Sequence, residues 1–281
     1  MARVKKINSQ EVGLEIGLIF CKYFMKTEYL HYGLFEKDIA VDIWNLGKAQ
    51  DRYADLLLSQ IPDGVKTILD VGCGSGKTAQ YLTSKGYEVE CVSPSRLLNE
   101  YARNLLGEST PVHTKKFEEF ETDKKFDLVL FSESFQYIPI KESLGRAIKY
   151  LKPQGDIIVA DFFRRDDEQQ ERGPLGGGHK WTEWTALLPT FPLETIKERD
   201  ITNETSLMMD LVNGFTMEVI KPAYTLGMML ADDRYPKLMK FIKWKFKKKL
   251  DKIENKHFQG ERNSDNFKKY KRYMMYHFQV Q

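Results

Sequence analysis

The stretch that decides the fold is Ile68-Leu69-Asp70-Val71-Gly72-Cys73-Gly74-Ser75-Gly76. Its apolar first part favours a buried strand, and three alternating glycines then let the backbone turn tightly and approach a ligand with no Cβ in the way. A helical segment follows from Thr78. A strand, a glycine loop and a helix in this order predict a ligand site at the carboxyl end of a strand in a parallel sheet.

Outward from this loop, short apolar or β-branched segments alternate with helical segments. Strands are predicted at Thr67–Val71, Tyr87–Val92, Pro111–Lys115, Phe126–Phe131, Asp156–Phe162, Leu193–Ile201 and Tyr273–Val280. Helices are predicted at Glu11–Lys26, Asp42–Gln60, Thr78–Ser84, Arg96–Leu106, Lys141–Leu151, Leu207–Leu230 and Tyr235–His257. The alternation predicts right-handed βαβ units. The charged, glycine-rich residues Arg164–Gly178 predict a mobile loop.

Composition narrows the class of protein. The chain has 281 residues, 42% of them hydrophobic, and a net charge of +3, so it can bury a core and is not expected to be disordered. The sequence contains no long, uncharged apolar segment, so a membrane span is not predicted. The three cysteines, Cys21, Cys73 and Cys91, form no CxxC pair, so we expect neither a disulfide framework nor a metal site. Reduced cysteines favour a cytoplasmic protein.

Three ligand classes compete for the glycine loop. A Walker phosphate loop would need a glycine where Val71 stands, although Gly76-Lys77-Thr78 matches its end. A dinucleotide fingerprint would need glycine in place of Lys77 and an acid near the end of the next strand, where Ser93 stands. The third class is S-adenosylmethionine.

The pattern Asp70-x-Gly72-x-Gly74-x-Gly76 resembles the glycine-rich motif of class I S-adenosylmethionine-dependent methyltransferases. Phe126-Asp127-Leu128-Val129-Leu130 resembles that family's fourth strand. Leu151–Asp156 resembles its turn into the fifth strand, so the resemblance covers residues 65–162. It implies an α/β fold, a Rossmann-like, mostly parallel sheet of seven strands with a helical cap, and S-adenosyl-L-methionine as cofactor.

The resemblance also implies roles for single residues. The amino-acid end of the cofactor would be held by Asp70 and the loop, and the ribose by the end of the second strand. There this chain has Ser93-Pro94, where most relatives carry an acid. The cyclopropane, mycolate and tocopherol groups also lack that acid. Adenine would lie beside Phe117 and Glu118, although core packing explains Phe117 equally well. The implied cofactor residues are therefore Asp70, Gly72, Cys73, Gly74, Gly76, Ser93, Pro94, Phe117, Glu118 and Ser132.

The segment Tyr29–Phe35 resembles a short HxGx-aromatic segment ahead of the core in methyltransferases of small and lipid-like acceptors. Gly33 would permit a tight turn there. Tyr32 is the predicted hydrogen-bond donor to the methionine carboxylate. Aromatic packing of the N-terminal helix on the core is the alternative.

Catalytic candidates come from two segments beside the expected acceptor. His179 follows three glycines just beyond the fifth strand, so its loop could open and close, although an exposed loop histidine is the more common case. Glu133 and Tyr137 follow the fourth strand, and Glu133 is the weaker candidate. Cyclopropane-type enzymes carry Glu-His at Gln136-Tyr137, so cyclopropanation is not expected here. Methyl transfer itself does not require a base.

Two features describe the acceptor side and the surface. Methionines between Met208 and Met229 favour an irregular apolar ligand or a plain core. Residues Arg234–Lys256 carry ten Lys/Arg against two Asp/Glu, a local charge of +8 that leaves the rest at −5. This amphipathic segment favours either a docked cap helix or weak contact with an anionic membrane surface, whereas no nucleic-acid partner is expected.

The predicted organisation has four parts. They are an N-terminal helical cap (1–60), a cofactor-binding core (61–202), an inserted helical cap (203–260) and a C-terminal segment that rejoins the sheet (261–281). The predicted function is methyl transfer from S-adenosylmethionine to a small or lipid-like acceptor held between core and cap. The alternatives are a non-catalytic binding protein of the same fold and a membrane-peripheral, lipid-modifying methyltransferase.

Overall fold

A computed structural model describes residues 9–166 and 173–281. Its sheet has seven strands in the order β3-β2-β1-β4-β5-β7-β6. The strands are β1 Thr67–Val71, β2 Glu88–Ser93, β3 Val112–Thr114, β4 Phe126–Ser132, β5 Leu151–Arg164, β6 Leu193–Asp200 and β7 Lys271–Val280. Strands β1 to β5 are parallel, and β7 runs antiparallel between β5 and β6. The predicted Rossmann-like, mostly parallel sheet is confirmed.

Eleven α-helices lie in the described part of the chain. They are α1 Ser9–Phe20, α2 Leu46–Leu58, α3 Lys77–Ser84, α4 Arg96–Leu106, α5 Ile140–Tyr150, α6 Trp181–Leu187, α7 Thr202–Ser206, α8 Met208–Phe215, α9 Lys221–Arg234, α10 Pro236–His257 and α11 Ser264–Tyr270. Short π-helical segments, Cys21–Met25 and Thr216–Ile220, extend α1 and join α8 to α9. No helix among these residues is both long enough and apolar enough to cross a membrane.

Side-chain alternation along the strands produces two core layers. One face of β1 places Leu69 and Val71 in a buried cluster with α5 and Trp184. The other face places Ile68 against Tyr53 and other residues of α2 and α3. Both faces of the sheet are therefore covered, as parallel sheets require. Strand β6, at the edge, is mostly exposed and charged, a composition that discourages pairing with other chains.

Most predicted elements agree with the structure, and the differences have local causes. The fifth strand begins at Leu151 rather than Asp156, because residues 152–155 form an irregularity in an otherwise continuous strand, with Gln154 at φ 58°. Three short helices, α6, α7 and α11, were not predicted, because five to seven residues are too few for a clear helical pattern. Helices α6 and α11 are each held by one deeply buried ring, Trp184 or Phe267. The predicted mobile loop includes residues 167–172, which lie outside the described residues.

Candidate cofactor and acceptor site

The glycine loop lies at the carboxyl end of β1, between the ends of β2 and β4. The backbone N–H of Gly72 donates to the carbonyl of Val92 at 2.8 Å, which fixes the loop against β2. Gly72, Gly74 and Gly76 have φ values of 82°, 55° and 82°, a conformation that disfavours any residue with a Cβ. At Gly72 a Cβ would also lie 2.3 Å from the Cβ of Ser134. The loop therefore needs glycine for conformation and for close packing.

Asp70 is buried near the end of β1, two residues before Gly72. Its Oδ2 is enclosed and has no hydrogen-bond partner. Burial raises the pKa of Asp70 to about 7. Because buried polar atoms in native proteins are normally hydrogen-bonded, an unpaired carboxylate oxygen here points to a ligand that donates to it.

The remaining predicted cofactor residues extend along the same edge of the sheet. Ser93 is buried at the end of β2, and Pro94 beside it is exposed. Glu118 is half-buried on a turn after β3. Phe117 is buried, with its ring packed edge-on against Phe131. Phe117 is therefore a core residue, and contact between its ring and adenine stays a prediction.

An acid does reach the end of β2, but from a distant part of the chain. Glu11 of α1 accepts a hydrogen bond from the hydroxyl of Ser95 at 2.7 Å and another from the N–H of Leu97 at 3.2 Å. Ser95 in turn caps α4 by accepting from the N–H of Leu98. These bonds lower the pKa of Glu11. Sequence reasoning missed this contact because nothing near Glu11 marks it.

The segment between α1 and α2 covers the glycine loop. The hydroxyl of Ser75 donates to the carbonyl of Glu28 at 2.5 Å, and Lys77 lies 3.7 Å from the Glu28 carboxylate. His31 is buried and stacks on Tyr53, with ring centroids 4.4 Å apart. Burial lowers the pKa of His31 to about 4, so its imidazole is neutral at physiological pH.

Tyr32 follows His31 in this segment, and its side chain is enclosed by other side chains. Its hydroxyl donates to the sulfur of Met209 at 3.8 Å, and its ring packs edge-on against Phe162, Phe267 and Tyr273. Burial raises the pKa of its phenol well above the ordinary value. The predicted bond to the methionine carboxylate stays a prediction, and the structure shows the ring inside an aromatic cluster with side chains of β5, β7 and α11.

Glu133 is the first residue after β4 and has a φ of 57°, uncommon for a residue with a side chain. Its Oε1 accepts from the N–H of Tyr32 at 2.6 Å and from the phenol of Tyr273 at 2.8 Å. The phenol of Tyr273 also meets that of Tyr53 at 2.9 Å, and Tyr53 meets the hydroxyl of Ser132 at 3.2 Å. Withdrawal of the carboxyl from water raises the pKa of Glu133 to about 8.

Tyr137 lies in the turn that follows β4, and His179 contacts the same turn. The Nε2 of His179 is 2.9 Å from the carbonyl oxygen of Phe135. Because a carbonyl oxygen can only accept, Nε2 is the nitrogen that carries the hydrogen in the neutral ring, and Nδ1 is the nitrogen with a free lone pair. Tyr137 is 58% exposed. Catalytic roles for both residues stay predictions.

Another buried carboxylate, Asp161, holds this turn. It accepts from the backbone N–H of Gln136 at 2.9 Å and from its side-chain amide at 3.0 Å. The side-chain amide oxygen of Gln136 accepts from the N–H of Gly178 at 3.2 Å, and the buried Lys271 donates to the carbonyl of Gly177 at 2.5 Å. Burial raises the pKa of Asp161 to about 7 and lowers that of Lys271 to about 8. The sequence feature that could have pointed to Asp161 is an acidic residue inside an otherwise apolar strand.

Gln136 therefore joins β5 to the glycine segment before His179.

In residues 9–166 and 173–281 no cluster of three or more His, Cys, Asp or Glu side chains is arranged to hold a metal ion. The site thus combines a carboxylate oxygen of Asp70 without a hydrogen-bond partner, just before a glycine loop, with a hydrogen-bonded aromatic region around Glu133.

Comparison with known proteins identifies the family. A family model described as "Methyltransferase domain" matches residues 46–199, more than half of the chain. The chain belongs to this methyltransferase family. The resemblance to class I S-adenosylmethionine-dependent methyltransferases, and with it the cofactor class, is confirmed.

The curated relatives that the chain matches are also methyltransferases. The chain is 26% identical over 157 residues to the chloroplastic tocopherol O-methyltransferase of Arabidopsis thaliana, covering 50% of this chain and 45% of the relative. It is 31% identical over 104 residues to the ubiquinone biosynthesis O-methyltransferase of Rickettsia bellii, covering 34% and 42%. The chain thus spans less than half the length of these curated relatives.

Among solved structures, the methyltransferase fold is shared along the whole chain. The cyclopropane synthase MmaA2 from Mycobacterium tuberculosis superposes with a TM-score of 0.69 at 16% identity, covering 99% of this chain and 100% of that protein. At this identity the likeness establishes the fold and leaves the acceptor to be argued from the site.

Proposed function

We propose that this protein transfers a methyl group from S-adenosylmethionine to a small or lipid-like acceptor held between the sheet and the helical cap. The observation that carries the proposal is the buried, unpartnered Oδ2 of Asp70 beneath three glycines with positive φ. The ammonium group at the methionine end of the cofactor could donate a hydrogen bond to this oxygen, which has no partner within the protein. A charge-assisted bond there would be short and strong.

Bound S-adenosylmethionine would supply an already activated methyl group. The protein's own task is then to align the acceptor and exclude water. Tyr32, Phe162 and Tyr273 would form one apolar wall for the acceptor, because their rings pack together where core and cap meet. Glu133 would accept a proton only in its ionised form, which becomes common near its pKa of about 8.

A lipid-like acceptor is supported by the apolar character of this region. Met209 is buried against Tyr32, and methionine adapts its shape to irregular apolar groups. The curated relatives include tocopherol and ubiquinone-biosynthesis O-methyltransferases, which makes prenylated phenols and quinols the first acceptors to test.

Calorimetry with S-adenosylhomocysteine tests the cofactor part of the proposal. We expect one binding site that Asp70→Ala weakens strongly, whereas Asp63→Ala, on an exposed turn, leaves binding unchanged. No binding by the intact protein would overturn the proposal. Release of S-adenosylhomocysteine in the presence of prenylated phenols, quinols and short polar amines then tests the acceptor class, and turnover of the amines alone would reject a lipid-like acceptor.

A further inference from the structure

Helix α10 presents two different faces. Met239 is buried, and Ile242 and Leu250 are half-buried, so one side of the helix packs inward along α9. The opposite side carries Phe241, which is 50% exposed, and Trp244, which is 75% exposed. An exposed tryptophan on the outward side of a cap helix is not explained by the packing of the core.

Lysines surround this aromatic pair. The Phe241 and Trp244 rings lie 6.0 Å apart. Residues four apart are neighbours on a helix surface, so Lys240 and Lys248 lie one turn before and after Trp244, and Lys237 and Lys245 lie one turn on either side of Phe241. We call these six residues the Trp244 face. The ammonium of Lys245 is 5.5 Å from the centre of the Phe241 ring.

We propose that the Trp244 face docks the protein on an anionic phospholipid bilayer. Trp and Phe are amphipathic or apolar groups that settle at the level of the lipid headgroups, while the long lysine stems reach outward to the phosphates. The ten Lys/Arg of residues 234–256 supply the charge that an anionic surface attracts, and the rest of the chain, at −5, does not.

The neighbouring helix favours a bilayer over the other possible occupants. Leu226, Met229 and Leu230 of α9 are 66%, 62% and 63% exposed, and this apolar surface would be poorly matched to a nucleic-acid backbone. A second copy of the chain, bound through the same face, would place two strongly basic helices against each other. A bilayer accepts both the apolar groups and the lysines.

Vesicle co-sedimentation of the full chain, without cofactor, tests the proposal independently of methyl transfer. We expect binding to phosphatidylcholine vesicles that contain phosphatidylglycerol and little binding to phosphatidylcholine alone. Lys240→Gln, Lys245→Gln and Lys248→Gln together should weaken binding roughly 100-fold. Phe241→Ala with Trp244→Ala should weaken it about tenfold or more.

Matched controls separate this face from general exposure and charge. Trp44 is 74% exposed in the short helix that precedes α2 and is not a member of the Trp244 face, so Trp44→Ala should leave vesicle binding unchanged. Lys115→Gln, Lys116→Gln and Lys141→Gln remove the same charge elsewhere and should have a much smaller effect. The proposal would be overturned by equal binding to both vesicle types or by no binding to either. Preferential binding to an RNA duplex, or a dimer that is lost on Trp244→Ala, would overturn it as well.

Discussion

The phenol of Tyr273 donates a hydrogen bond to Oε1 of Glu133 at 2.8 Å, joining β7 to the turn after β4. The same oxygen accepts from the backbone N–H of Tyr32. One carboxyl group therefore connects the covering N-terminal segment, the middle of the sheet and the last strand. These three parts are far apart in sequence, so the contact exists only once the sheet has formed.

Glu133→Gln should reduce the pH dependence of stability. The pKa of Glu133 is raised to about 8 from an ordinary value of 4.5, so the stability that it contributes is fully present below pH 4.5 and is lost as the pH rises through 8. The glutamine side chain would keep an acceptor oxygen and would not ionise. Urea unfolding should show similar stability for both proteins near pH 5 and a more stable variant at pH 8, by an amount on the order of a few kcal/mol. Glu119→Gln, on the exposed surface, serves as the control; a wild-type decline that Glu133→Gln leaves intact would contradict the assignment.

Gly72→Ala should destabilise the protein more than an alanine at another left-handed glycine. Gly86 has a φ of 95° and open space where an added methyl group would lie, whereas at Gly72 the added methyl group would meet Ser134 at 2.3 Å. Both substitutions should lower the free energy of unfolding by about 1–2 kcal/mol, because alanine disfavours the left-handed backbone conformation. The clash with Ser134 should lower it by about 1–3 kcal/mol more in Gly72→Ala. Equal unfolding free energies for the two variants would show that the loop can move away from Ser134.

Binding of S-adenosylhomocysteine should strengthen as the pH rises toward 7. The pKa of Asp70 is raised to about 7 by burial, so below that pH the free protein must release a proton before the carboxylate can pair with the ligand's ammonium group. Affinity should increase by up to about tenfold per pH unit below 7 and then level off. Calorimetry at several pH values measures this slope. Asp70→Asn should flatten it, and a wild-type slope that survives in this variant would assign the titration to another group.

Gln136→Met should loosen the segment that carries His179. The substitution removes the amide that donates to Asp161 and the oxygen that accepts from the N–H of Gly178. Leaving these groups unpaired should lower the unfolding free energy by about 1–3 kcal/mol. Limited proteolysis should also become faster near residues 173–179. Gln259→Met serves as the control, because the amide of this exposed residue lies 3.5 Å from the carbonyl oxygen of Glu254, and it should change little. Equal protection in both variants would show that Gln136 does not hold the segment.

The sequence by itself determined the frame of the fold. Apolar runs such as Phe126–Phe131 predict strands because alternate side chains must be buried on both faces of a parallel sheet, and the glycine pattern predicts the ligand loop because its backbone demands are local. Local patterns also mark Asp70 and Glu133 as candidate residues, since Asp70 lies near the end of one apolar strand and Glu133 follows another.

Only the tertiary structure decided how these residues are connected and charged. Glu11 reaches the capping residue of α4, Tyr273 reaches Glu133, and Asp161 reaches Gln136 across distances in sequence that no local pattern encodes. Burial, which shifts the pKa values of the carboxyls, follows from the packing of several segments at once. The outward direction of Trp244 was likewise decided by which side of α10 packs against α9, because a helical repeat gives the spacing of side chains but not the side that the rest of the protein covers.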